Sequence, residues 1–180
     1  MRIARTWAAG LAIAVALTGP SPVAAQVTMF EAFLSGTNEV PPNGSPATGT
    51  ASFTYDATTA MLSSVVTFSN LLAPTIAAHI HTGVAGVNGP VLIGFPMFLT
   101  GVTSGTYTNT FFITPTQQAG LDAQLAAGGS GLYVNVHTAM FPGGEIRGQV
   151  EMAVVPEPMT LLLVGSGLAG IAARTRRRTR

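Results

Sequence analysis

The stretch GTASFTYDATTAMLSSVVTF, from Gly49 to Phe68, decides the class of fold. Its flanks, Gly49 to Tyr55 and Leu62 to Phe68, are short and rich in β-branched and aromatic residues, which suit a pleated, half-buried surface. Between them, Asp56-Ala57-Thr58-Thr59 is a turn, because an aspartate side chain can accept from amides just beyond it. The segment therefore predicts a β-hairpin. Working outward, the same pattern predicts strands at Val27 to Leu34, Ile76 to His81, Val91 to Gly94, Thr106 to Ile113, Leu132 to His137 and Glu145 to Glu151. Clusters of glycine, proline, threonine, serine and asparagine separate them at roughly eight- to twelve-residue spacing, as in Asn88-Gly89-Pro90, and that spacing predicts an all-β sandwich. One helix interrupts it. Thr114 is its cap, Pro115 its first residue and Gln117 the partner of a capping box, while Leu121 and Leu125 share a face and Gly128-Gly129 ends it. Gly120 inside that helix costs about 1 kcal/mol against alanine, so the helix depends on packing against the sheet.

Composition narrows the function. Of 180 residues, 47% are hydrophobic and only 8% charged, and there is no cysteine, which removes disulfide scaffolds, thiol catalysis and cysteine-ligated metals. All eight basic side chains are arginine, and seven sit near the two ends. Between Gln26 and Val155 the chain carries Glu31, Glu39, Asp56, Asp122, Glu145 and Glu151 against the single Arg147. Such a body is no nucleic-acid binder, since phosphate neutralisation needs clustered basic groups.

The ends are addresses. Arg2 and Arg5, the apolar run from Trp7 to Leu17, and Val23-Ala24-Ala25 make the three parts of a signal peptide spanning 1–25, which signal peptidase is expected to cut after Ala25. At the other end, Pro156-Glu157-Pro158 precedes an uncharged run, 159–173, and an arginine-rich tail, 174–180. This order resembles the bacterial PEP-CTERM sorting signal, which implies recognition by an exosortase and places segment 154–180 outside the folded body. The arginines after the run orient it as a membrane helix with its tail in the cytoplasm, anchoring the exported body transiently or permanently. Fifteen residues at about 1.5 Å each reach roughly 22 Å, short of a hydrocarbon core of about 30 Å unless flanking residues join.

Within 26–153, Asn38-Glu39-Val40-Pro41-Pro42, His79-Ile80-His81-Thr82-Gly83, Tyr133-Val134-Asn135-Val136-His137 and Pro142-Gly143-Gly144-Glu145-Ile146-Arg147-Gly148-Gln149 together resemble the CHRD domain. The resemblance implies an immunoglobulin-like antiparallel β-sandwich, an extracellular module with no established catalytic role; with the sorting signal, the expectation is a structural or binding module of the cell surface or extracellular matrix, for which exopolysaccharide or other surface proteins are candidate partners.

The chain has three histidines. Strand alternation puts His79 and His81 on one face. On the later strand, Leu132, Val134 and Val136 form the apolar stripe, so Tyr133, Asn135 and His137 face the other way. The same parity puts Glu145, Arg147 and Gln149 outward. If the strands are neighbours, His79, His81, His137 and Glu145 form a candidate copper or zinc site; alternatively the histidines bond loop carbonyls and are structural. A copper–zinc superoxide dismutase needs more histidines than the chain has. A glycosidase would need a carboxylate pair, for which Glu39 and Glu145 are the candidates. Arg147 is expected to pair with Glu145 or Glu39.

Overall fold

Alternation along the first strand sets the inside of the molecule: Phe30, Ala32 and Leu34 are buried, while Val27 and Phe33 are exposed. The computed structural model describes residues 27–153. The signal peptide expected at 1–25, the motif 156–158, the apolar run 159–173 and the tail 174–180 lie outside the described residues. Among the described residues no helix is long and apolar enough to cross a membrane.

The strands are β1 (Val27–Ser35), β2 (Thr48–Asp56), β3 (Met61–Ser69), β4 (Thr75–Thr82), β5 (Val91–Gly94), β6 (Gly105–Phe112), β7 (Leu132–Thr138) and β8 (Ile146–Met152), with one helix, α1 (Pro115–Ala126). Each expected strand and the helix are present. The Gly49–Phe68 stretch folds as the β2–β3 hairpin, with Phe53 opposite Ser64 and the Asp56 carboxylate accepting from Thr58 N at 2.8 Å. Thr114 caps α1 through a complete capping box with Gln117, and Pro115 opens it. Gly120 has a packing reason: a Cβ there would lie 2.7 Å from Leu92 Cδ1.

All strand pairs are antiparallel and form one eight-stranded sheet in the order β5-β4-β7-β8-β1-β2-β3-β6. The sheet is continuous, where two stacked sheets were expected, but it curls until its edges meet. Tyr107 Oη on β6 donates to the Pro96 carbonyl beyond β5 at 2.9 Å, and Asn109 Nδ2 joins it. Residues from both ends of the sheet share one core cluster, in which Phe53 on β2 lies 5.9 Å from Phe95. The layering is therefore sandwich-like. Leu121 of α1 is fully buried in the same cluster.

The alternating pattern is lost along the whole of one strand, β7. Every residue of β7 is buried, on both faces. Its apolar face meets the core; its polar face, with Tyr133, Asn135 and His137, is roofed by loops 83–90 and 139–145 rather than exposed.

Candidate metal centre

The pairing β4-β7-β8 makes neighbours of the strands that carry the polar residues. His79 stands opposite Asn135 and His81 opposite Tyr133, while Asn135 stands opposite Arg147. The consequence is a cluster in which His79, His81 and His137 each offer a ring nitrogen, all within 4.8 Å of one another. His81 and His137 are buried; His79 is half-buried.

Hydrogen bonds from the roofing loops fix the tautomers. His81 Nδ1 donates to the Gly89 carbonyl at 3.0 Å and His137 Nδ1 donates to the Pro142 carbonyl at 2.8 Å. A carbonyl only accepts, so in neutral rings both protons sit on Nδ1 and both Nε2 atoms carry lone pairs. His137 Nε2 accepts from His79 Nδ1 at 3.0 Å; His81 Nε2 is buried without a partner. A metal-binding histidine commonly has this arrangement, its second nitrogen held by a backbone carbonyl.

Electrostatics keep the rings neutral. Burial, reinforced by His137 and His81, pushes His79 down to about 4. His81 is lowered by burial, with Arg147 adding to the effect against the hydrogen bond to Gly89. Burial likewise lowers His137, outweighing its bond to Pro142. Neutral imidazole is the form that ligates.

Around the histidines, Tyr133 stacks on His81 with centroids 4.8 Å apart and rings 10° from parallel, and the Arg147 guanidinium lies 3.4 Å from the centre of the Tyr133 ring. Arg147 is 1% exposed, and the pairing with an acid expected for it is replaced by bonds to Asn88 Oδ1 at 3.0 Å, Val87 O at 2.9 Å and Val84 O at 3.3 Å. The arginine thus ties down loop 83–90. Glu39 is 5% exposed; burial raises its carboxyl to about 7 despite the opposing pull of Arg147.

Glu145 is not brought to the histidines. It precedes β8, so the parity that places Arg147 does not extend to it. Its carboxylate is fully buried and accepts from Ser45 Oγ, the Leu72 amide and Thr138 Oγ1, each at 2.7 Å. Thr138 follows Val134 and Val136 along β7, opposite in parity to His137. Glu145 is a structural anchor between loops, and its oxygens are not available to a partnership with Glu39. Asn135 is the residue that sequence reasoning placed on the correct face without giving it a role. A concavity of about 620 Å³ lined by Phe33, Glu39, Arg147 and Gln149 lies beside this centre and contains none of the three histidines.

Two comparisons with known families complete the observations. The CHRD domain family matches residues 30–150, and the family described as PEP-CTERM protein-sorting motif matches residues 154–178. No curated protein and no solved structure matches the chain.

Proposed function

The chain belongs to the CHRD domain family and carries a PEP-CTERM sorting motif, and from that premise we propose that it is an exported, non-catalytic module of the cell envelope or extracellular matrix that binds a zinc or copper ion. Its partners during export are signal peptidase, cutting after Ala25, and an exosortase acting on Pro156-Glu157-Pro158. The run 159–173 holds it in the membrane at least until that processing. Its surroundings afterwards are exopolysaccharide and other surface proteins. The family's immunoglobulin-like character belongs to the same reading and is supported by the sandwich-like curl.

The observation that carries the metal reading is the cluster of three neutral imidazoles with nitrogens within 4.8 Å of one another, two of them oriented by backbone carbonyls. Three histidines with imidazole nitrogens alone suit zinc or copper. The nearby positive charge of Arg147 opposes a cation, and the acidic side chain of Glu39 offsets it when ionised.

The test is metal content and thermal stability of the full chain after incubation with zinc or copper(II). About one ion per chain is expected. With free ion at 100 times the dissociation constant, binding stabilises the fold by about 2.7 kcal/mol, and His81→Ala or His137→Ala abolishes that gain. Absence of both bound ion and melting shift would return the histidines to a structural role.

A further inference from the structure

Four buried side-chain atoms of the described protein have no hydrogen-bond partner: Glu39 Oε1, Ser64 Oγ, His81 Nε2 and Asn135 Oδ1. Three of the four belong to residues at the histidine centre. Buried polar groups are almost always satisfied, because an unpaired one keeps its full desolvation cost. A concentration of orphans at one place therefore points to something that binds there.

The orientation of the Asn135 amide says what. Asn135 Nδ2 donates to the Gly143 carbonyl at 3.3 Å. A Cβ at Gly144 would lie 2.7 Å from that same Nδ2 and would run into Glu39 Oε1, so the carboxylate and the amide nitrogen crowd one spot. The NH₂ edge of the amide donates to the Gly143 carbonyl, and the Glu39 carboxylate stands beside that edge without a hydrogen bond to it, so negative charge faces the amide nitrogen. Asn135 stands between His79 on β4 and Arg147 on β8, so with its NH₂ edge held by Gly143 its carbonyl edge is left on the face that carries the histidines, unpartnered like His81 Nε2. His81 Nε2 is itself a lone pair, because its proton is on Nδ1. Two acceptors facing each other with no hydrogen between them repel, and a cation between them turns both into ligands.

We infer that Asn135 Oδ1 is the fourth protein ligand of the ion held by His79, His81 and His137, and that Glu39 is a positioning residue that keeps the amide turned toward it. The inference deepens the three-histidine reading and rests on it. Three imidazoles, one amide oxygen and no thiolate form a donor set suited to zinc or copper(II) rather than copper(I).

The experiment measures zinc affinity of the full chain by competition with a chromophoric chelator, and the visible spectrum of the cobalt(II)-loaded protein, which reports the number and type of ligands. Asn135→Leu is expected to change the cobalt spectrum and weaken zinc binding by at least about tenfold. Asn135→Asp, which keeps an oxygen and adds charge, is expected to bind at least as tightly as wild type with a shifted spectrum. Glu39→Ala should weaken binding about 10- to 100-fold, the usual effect of losing an outer partner of a ligand, and Glu39→Gln, which retains an acceptor oxygen, should recover most of it. A wild-type cobalt spectrum in both Asn135 variants overturns the inference, and the Asp variant carries that test if the Leu variant fails to fold. Zinc binding that also survives His81→Ala and His137→Ala would overturn the three-histidine reading itself.

Discussion

Gly144 is where the demands of the centre meet in a single residue. Its φ is +130°, a conformation that side chains rarely adopt, and its missing Cβ makes the space in which Glu39 and Asn135 approach each other. Gly143 beside it has nothing within 4 Å of such a Cβ. Gly144→Ala is therefore expected to destabilise the fold by roughly 2 to 4 kcal/mol, from backbone strain together with displacement of a buried carboxylate, while Gly143→Ala should cost well under 1 kcal/mol. Urea unfolding of the two variants checks the contrast, and equal stabilities would show that the Glu39–Asn135 approach is not needed by the fold. At this scale the sequence was legible where a rule of alternation applied. It placed His79 and His81 together and put Tyr133, Asn135 and His137 on the opposite face from Val134. It misplaced Glu145 because parity holds only inside a strand, and β8 begins one residue later. It could not show Asn135 as a ligand, since an amide becomes a candidate only when its orientation is fixed by groups distant in the chain.

Among the elements, β7 shows what periodicity can and cannot tell. The spacing of turn residues and the capping box were sufficient to locate eight strands and α1, because these signals are local. Whether the second face of a strand meets water is decided by loops that arrive from elsewhere, and the burial of β7 on both sides left no trace in its own alternation. The polar face of β7 is a second, hydrogen-bonded core, and Arg147 is the pin that closes it. Three of its contacts go to loop 83–90, which also supplies the Gly89 carbonyl to His81. Arg147→Met is expected to cost about 3 kcal/mol, the scale of losing charge-assisted hydrogen bonds in a buried site. Arg147→Lys should recover little, because a point-charged ammonium cannot reproduce a planar fork stacked on Tyr133. Hydrogen exchange would show the loss as faster exchange in 83–90, with the β2–β3 hairpin unaffected. Full rescue by lysine would mean that charge alone, rather than the geometry of the guanidinium, holds the loop.

For the whole molecule, body and address occupy separate stretches of the sequence, since the CHRD match ends at residue 150. The Ala153 amide donates to the Met29 carbonyl at 3.0 Å, and the sorting motif match begins at residue 154. Among the described residues, 27–153, the sheet curls closed around a core cluster of its own, from Phe30 to Val150. Because residues 27–153 build this core among themselves, the body is expected to melt at the same temperature before and after processing, and a lower melting temperature of the processed form would show that the segment supports the fold. Replacing Pro156, Glu157 and Pro158 together by alanine should leave the protein in the membrane fraction, because the uncharged run 159–173 would remain attached, its exit opposed by the arginines that follow. The wild-type protein should instead be recovered at the surface or in the matrix as a shorter species, read by mass spectrometry of fractionated cells. Equal release of the two proteins would show that export does not read the motif. A variant that is retained but still binds zinc with wild-type affinity would establish that address and ligand site are independent, which is what a site whose histidines all lie between residues 79 and 137 predicts.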